Sequence, residues 1–190
     1  MKSFNILSNN ELVLSDDKKY TNAVIEQELM DMFADSEVKV LLFDKIGNSN
    51  YYFKIEINEI SLSLYVVIKN ITASGWINKP KIKRIQIRNI KNDNPDFAIH
   101  NDNNSFNLIL GYYNYDENPI FVGWDAYRYY NHNTLRSCYV SVDSLKRGYV
   151  KKYYDGIDSS QKIWIFIPKN FAMFLNNYID YVGKELNKNE

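Results

Sequence analysis

Residues 71–87 (ITASGWINKPKIKRIQI) combine side chains that can contact both the backbone and the bases of DNA. Lysine and arginine pair with phosphates, while serine, asparagine and glutamine hydrogen-bond to phosphates or base edges. Gly75 permits an unusual backbone geometry, and Pro80 stiffens the return of the chain. The predicted contact residues of this segment are Ser74, Trp76, Asn78, Lys79, Lys81, Lys83 and Arg84.

Trp76 has two interpretations. Large aromatic side chains are mostly buried, so the indole could anchor the segment onto the body of the domain. Alternatively, the indole stacks on a base or a sugar of a bound nucleic acid. The sequence leaves both interpretations open.

Residues 124–138 (WDAYRYYNHNTLRSC) form a second segment of this kind. Arginine matches the edge of guanine, asparagine matches adenine, and threonine can contact either. In an alternative interpretation, Trp124 and Asp125 end a strand and hold the loop, with Asp125 paired to Arg128. The predicted contact residues are Arg128, Tyr130, Asn131, His132, Asn133, Thr134 and Arg136.

The formal net charge of zero argues against nucleic-acid binding, but the charges are segregated along the chain. Residues 61–92 contain no acidic side chain, residues 93–127 contain no lysine or arginine, and residues 128–152 are again mostly basic. Phosphates respond to the local potential within roughly 8 Å rather than to the net charge. Two basic blocks therefore remain compatible with DNA, although chance clustering on solvated faces is the alternative.

No sequence motif indicates catalysis or a cofactor. The single Cys138 cannot form an intramolecular disulfide, which favours a cytoplasmic protein. His100 and His132 have no partner cysteines for zinc, and the glycines are too isolated for a phosphate-binding loop. Pro95-Asp96 is not followed by the acidic-x-Lys triplet of a metal-dependent nuclease. We expect a cytoplasmic binding domain without enzymatic activity, cofactor or membrane-spanning segment.

Hydrophobic periodicity predicts a chain made mostly of strands. A helix is predicted at residues 22–34, with Thr21 as its cap. The alternating segments 51–57 and 61–68 predict a hairpin with an Asn58-Glu59 turn. A second hairpin is predicted from 106–113 and 120–124, and further strands at 38–43, 82–87, 138–142 and 162–167.

Short helices complete the predicted fold. One covers residues 143–150 with Asp143 as its cap, and a C-terminal one covers about 168–182 and ends at Gly183. Residues 1–19 are expected to form an irregular lead-in or an extra strand. The prediction is a single domain over 1–190, mainly β (α+β), with a seven- to eight-stranded open antiparallel barrel at about 38–167 and short peripheral helices.

Several runs resemble the methylase-associated N-terminal domains of bacterial restriction subunits. They are 75–87, LGYY at 110–113, FVGWDA at 121–126, RSCYV at 136–140 and GIDSSQK at 156–162. The resemblance covers about residues 38–180 and is nearest to LlaJI-type proteins, which are McrB-like GTPases that act with an McrC-like nuclease subunit.

This resemblance implies the B3 fold, an open pseudobarrel that grips the major groove with two arms. Residues 74–84 would form the N-arm and residues 128–136 the C-arm. An Asn-Asp-Thr-Gly-like arm signature of some relatives is missing here. The GTPase and nuclease parts of such proteins are also missing from this chain. The resemblance implies that the McrC-like nuclease subunit binds those missing parts.

Three functions remain open at this point. The first is site-specific binding of double-stranded DNA by a recognition domain of a restriction system. The second is a reader of modified or flipped bases, with an aromatic pocket among Trp76, Trp124 and the tyrosines. The third is a protein-interaction domain that assembles the restriction complex.

Overall fold

The computed structural model of the protein describes residues 2–87, 104–130 and 135–187. The strands are β1 (Lys2–Ile6), β2 (Leu12–Asp16), β3 (Lys39–Lys45), β4 (Asn50–Ile57), β5 (Ile60–Asn70), β6 (Thr72–Ala73), β7 (Ile82–Ile87), β8 (Ser105–Tyr113), β9 (Ile120–Trp124), β10 (Arg136–Ser141), β11 (Tyr153–Asp158) and β12 (Gln161–Phe166). The helices are α1 (Asn22–Ala34), α2 (Tyr127–Tyr130), α3 (Val142–Lys151) and α4 (Phe171–Asn187), the last preceded by a 3-10 turn at Pro168–Asn170.

Three of the helices test the predicted boundaries. Helix α1 is confirmed, and the Thr21 hydroxyl accepts from the backbone N–H of Val24 as the cap. Helix α3 is capped by Ser141 rather than Asp143, because the Ser141 hydroxyl accepts from the backbone N–H of Ser144. Helix α4 does not end at Gly183, since this glycine keeps a helical backbone and the helix continues to Asn187.

A seven-stranded sheet runs in the order β11-β12-β9-β8-β5-β4-β3. The predicted hairpins β4–β5 and β8–β9 are both present. The expected purely antiparallel sheet is wrong at one pairing, because β5 and β8 lie parallel. Ser105 pairs with Ser63, so the chain returns from the end of β5 to the level of its start before β8 begins. The sheet is mixed and open, and the mainly β class with short helices is confirmed.

The hydrophobic core lies on both faces of this sheet. On one face, α1 and α4 contribute aromatic and aliphatic side chains such as Phe33 and Phe174. On the other face, a second sheet of order β10-β7-β6 and helix α3 contribute side chains such as Ile85 and Val140. Strand β8 is buried throughout, because its successive side chains enter the two clusters alternately.

The N-terminal segment is ordered as a hairpin, where we expected an irregular lead-in or an extra strand. Strands β1 and β2 pair antiparallel over five residue pairs. The hairpin lies against the segment before β7, since the backbone N–H of Phe4 donates to the carbonyl of Pro80 at 3.0 Å. Within the described residues, no helix is both long and apolar enough to cross a membrane.

Candidate nucleic-acid interface

The three-stranded sheet has one buried and one accessible face. Along β7, Lys83, Ile85 and Ile87 are buried, so the side chains between them point to the opposite side. Along β10, Cys138 and Val140 are buried in the same manner. We name the accessible side the outer face, and it carries Thr72, Arg84, Gln86, Ser137 and Tyr139.

The outer face is a cross-strand array of polar side chains. Arg84 lies opposite Thr72 on one side and Tyr139 on the other, and Gln86 lies opposite Ser137. The guanidinium Nη1 of Arg84 donates to the Ser137 hydroxyl at 3.4 Å. None of these side chains is acidic. The array therefore presents a cation and several hydrogen-bonding groups on a rigid backbone.

The two predicted arms reach this face from opposite ends. The loop of the N-arm leads into β7 at Ile82, which pairs with Ser141 at the end of β10. The C-arm leads into β10 at Arg136, which pairs with Ile87 at the end of β7. Strands rise about 3.4 Å per residue, so the ends of this six-pair ladder lie about 17 Å apart. The outer face therefore lies between the strand ends that lead to the two predicted arms.

The loop of the N-arm has a defined backbone. The Ser74 hydroxyl accepts from the backbone N–H of Trp76, and Gly75 adopts a left-handed φ of 87°. The backbone N–H of Lys79 donates to the carbonyl of Trp76 at 3.0 Å, which closes a turn. Asn78, Lys79 and Lys81 are exposed on this loop. Ser74 is 2% exposed, so the predicted DNA contact of Ser74 is replaced by a role in shaping the loop.

The prediction that Lys83 contacts a phosphate is wrong, because its side chain is fully buried. Its Nζ pairs with Asp17 at 2.5 Å and donates to Asn5 Oδ1 at 2.8 Å and to the Ser3 hydroxyl at 2.9 Å. Asp17 also accepts from the backbone N–H of Ala73 in β6. This network fixes the N-terminal hairpin to the three-stranded sheet.

Trp76 combines features of both interpretations. Its ring stacks on Tyr139 with centroids 4.9 Å apart, which anchors the loop, yet 42% of the residue remains exposed. Trp124, predicted as a wall of an aromatic pocket, is buried and donates from its indole N–H to the carbonyl of Tyr139 at 3.0 Å. Trp124 therefore supports the backbone beneath the stack.

In the described part of the C-arm, Asp125 and Arg128 make hydrogen bonds that hold the adjacent backbone. The Asp125 carboxylate accepts from the backbone N–H of Tyr127 and so caps the short helix α2; burial raises the pKa of this carboxyl. Arg128 Nη1 donates to the carbonyl of Ser160 at 2.5 Å. Arg136 is exposed at the start of β10. Residues 131–134, with Asn131, His132, Asn133 and Thr134, and the side chain of Tyr130 lie outside the described residues.

A cleft of about 890 Å³ opens beside the outer face. Tyr139 belongs to both, so the cleft and the face are continuous. Its lining combines aromatic, apolar, polar and basic side chains, and it is formed by Phe4, Trp76, Asn78, Lys79, Pro80, Lys81, Ile82, Tyr139, Ser159, Ser160 and Gln161. A smaller hollow of about 310 Å³ lies against Thr72, Arg84 and Gln86 on the outer face.

The β11–β12 turn forms the far wall of the cleft. Gln161 Oε1 accepts from the backbone N–H of Tyr139 at 3.3 Å, and Asp158 accepts from the backbone N–H and the hydroxyl of Ser141. Burial raises the pKa of Asp158, but the hydrogen bonds from Ser141, Ser144 and Ser159 together outweigh burial, so the pKa is lowered and the carboxylate stays charged near neutral pH. These bonds hold the turn against β10.

Several residues of this site are not among the contact residues predicted from the sequence. Ser137 and Tyr139 could have been identified from the alternation of buried and accessible positions in β10. Ser159, Ser160 and Gln161 gave no such signal, because only the pairing of β11 with β12 brings them to the cleft.

Comparison with known proteins gives one family match, and it covers most of the candidate site. The sequence profile described as methylase-associated X1 matches residues 62–175, which is more than half of the chain. No curated protein and no solved structure matches the chain significantly. The matched residues include the whole outer face and the turn at the far wall of the cleft. A methylase-associated domain indicates a role in restriction-modification.

Proposed function

Because the chain belongs to the methylase-associated X1 family, we propose that it recognises a specific double-stranded DNA sequence for a restriction-modification system. The observation that carries this proposal is the outer face, where Arg84, Gln86 and Thr72 form a polar array between two loops. Binding occurs without cleavage in this proposal.

The outer face supplies both kinds of contact that site-specific recognition requires. Arginine binds guanine in a bidentate manner, and glutamine binds adenine in the same way, each with about 1–3 kcal/mol of discrimination. Lys79 and Lys81 are exposed on the N-arm loop and suit phosphates. Lys81 also lies 3.6 Å from Asp143, an exposed pair that a phosphate can replace at little cost.

The resemblance to the N-terminal domains of LlaJI-type proteins adds the finer part of the proposal. It implies that the two loops act as the arms of a B3-type pseudobarrel in the major groove, while the single Cys138 favours a cytoplasmic location. It also implies that an McrC-like nuclease subunit performs the cleavage. The ends of the two loops are separated by about 17 Å, which is five steps of 3.4 Å along the six-pair ladder, so the loops can contact DNA at separate places.

The proposal is tested by measuring affinities of variants for the preferred duplex and for unrelated duplexes by fluorescence anisotropy. Arg84→Ala should weaken the preferred duplex by about 1–3 kcal/mol and relax specificity at one base pair. Lys79→Ala should weaken all duplexes alike and reduce the salt dependence by about one phosphate contact. Lys39→Ala is the matched control, because Lys39 is an exposed lysine on the edge strand β3.

Two results would contradict the proposal. One is equal affinity for every duplex at physiological salt. The other is an Arg84→Ala protein that binds like the Lys39→Ala protein. A chain that binds no nucleic acid but retains a partner subunit would support the protein-interaction alternative instead.

A further inference from the structure

The cleft beside the outer face is lined in part by aromatic rings. Trp76 and Tyr139 stack on each other with an interplanar angle of 23°, and Phe4 lies in the same cleft. Trp76 is the only one of the three tryptophans with an exposed ring, since Trp124 and Trp164 are at most 1% exposed. An aromatic pair that keeps so much surface accessible suits a planar ligand that extends the stack.

The charges of the cleft select an anionic ligand. Lys79 Nζ lies 4.8 Å from the centroid of the Trp76 ring, and Lys81 Nζ lies 5.9 Å from that of Phe4. These ammonium groups disfavour a cationic ligand such as a methylated amine, although the rings alone would accept one. A planar group with an attached phosphate satisfies both the rings and the lysines.

The cleft lining supplies a hydrogen-bond donor at a fixed place. Gln161 uses its side-chain oxygen to accept from the backbone N–H of Tyr139, so its amide nitrogen is the group that it can offer to a ligand. Base edges are rich in acceptors, which such a donor fits.

The far wall is the two-residue turn of the β11–β12 hairpin. Ser159 and Ser160 have φ angles of 51° and 60°, in the left-handed region that favours glycine. Arg128 donates to the carbonyl of Ser160 and helps to hold this turn. A two-residue hairpin turn requires this φ at both positions, as at Asn58-Glu59, so the turn gives the cleft a fixed wall.

We infer that the cleft binds an unstacked nucleobase, with its ring on the Trp76–Tyr139 stack and its phosphate on Lys79 and Lys81. The inference rests on the proposed function, since the nucleotide belongs to the bound DNA. Tyr139 connects the cleft to the outer face, so a base extruded from a duplex on that face enters the cleft directly. A single strand offers the same chemistry without extrusion.

The experiment follows the intrinsic emission of Trp76 during titration with three probes. They are an oligothymidylate single strand, the preferred duplex, and the same duplex with one mismatch moved along the site. A mismatch lowers the cost of extrusion, so one mismatched position should bind several-fold more tightly than the paired duplex. Quenching by the single strand alone identifies single-stranded DNA as the source of the base. Quenching by a mismatched duplex identifies an extruded base.

Variants separate the cleft from the remainder of the surface. Trp76→Ala should lose about tenfold in affinity for the quenching probe, as expected for one lost base–aromatic stack, and should lose the mismatch preference. Ile77→Ala is the matched control, because Ile77 is 90% exposed next to Trp76 but does not line the cleft. Gln161→Glu keeps the oxygen that accepts from Tyr139 and removes the donor, so it should weaken the same probe. Asn176→Asp, at an exposed position of α4, controls for the added charge.

The inference is overturned if no probe quenches Trp76, or if Trp76→Ala and Ile77→Ala bind every probe alike. Sequence-specific duplex binding with no quenching would leave the proposed function standing and remove the cleft from it. Quenching by the single strand without any duplex preference would have the opposite meaning, supporting the cleft and contradicting the proposed function.

Discussion

Asp17 is the charge partner of the fully buried Lys83, and Asp17→Asn leaves that cation without an anion. The Lys83 side chain has no exposed surface, and that of Asp17 is 8% exposed. Breaking a buried ion pair by removing one partner costs about 3–5 kcal/mol, because the remaining charge stays desolvated. For a chain of this length we expect a fall of about 6–20 °C in melting temperature.

The assay is chemical and thermal unfolding followed by circular dichroism. The double variant Asp17→Asn/Lys83→Met removes both charges and should recover most of the lost stability, since an apolar side chain fits a buried site. Lys81→Met is the matched control for the lysine change. Lys81 is half-exposed and pairs with an exposed Asp143, so its loss should cost less than about 1 kcal/mol.

The pH dependence of the free energy of unfolding gives a second measure of how much the Asp17–Lys83 pair stabilises the fold. Burial raises the pKa of Asp17, but the hydrogen bond and charge of Lys83, with the hydrogen bonds from Ser3 and Ala73, together outweigh burial, so the pKa lies below its ordinary 3.8. A carboxyl whose pKa is lowered in the folded state contributes its full stabilisation at a pH above its pKa in the unfolded state. This stabilisation is lost as the pH falls through the pKa of the folded state. The wild-type protein should therefore lose stability below pH 3.8, and Asp17→Asn should lack that component. Two results would show that the buried charge pair does not stabilise the fold. One is an Asp17→Asn protein whose free energy of unfolding lies within about 1 kcal/mol of wild type, and the other is a double variant as unstable as the single one.

Three further changes test other parts of the fold. Ser160→Gly should stabilise the protein by about 1 kcal/mol in thermal unfolding, because it relieves a left-handed serine; an unchanged or lower melting temperature would contradict this. The Cys138 thiol, whose pKa is raised by burial, should be alkylated in native protein only as fast as the protein opens, which mass spectrometry can follow; rapid native labelling would show an accessible thiol. Gly148→Ala should cost about 1–3 kcal/mol in urea unfolding, since its Cβ would lie 2.9 Å from the Cβ of Ile165, and a neutral effect would show that α3 shifts freely.

Local patterns predicted the elements whose signal lies within a few neighbouring residues. The β4–β5 hairpin follows from alternation on both sides of Asn58-Glu59, and both turn residues adopt the left-handed φ that a two-residue turn requires. Strand β11 escaped prediction because Tyr153–Asp158 has no clear apolar alternation. It is a strand because it pairs with β12 along its whole length.

The sequence singles out the loops that border the outer face, but not every residue of the face and the cleft. The accessible positions of the N-arm loop follow from its polar composition. The burial of Lys83 depends on Asp17, which lies 66 positions earlier in the chain, and no local pattern carries that information. The cleft depends likewise on a turn that tertiary pairing brings to Tyr139.

The central claim is sequence-specific recognition of duplex DNA, and selection of duplexes from a random pool at physiological salt tests it most directly. We expect successive rounds to converge on one short motif. Arg84→Ala should relax the selection at one base pair of this motif, while Lys39→Ala should select the same sequence as wild type. A pool that stays random after repeated rounds would contradict the account.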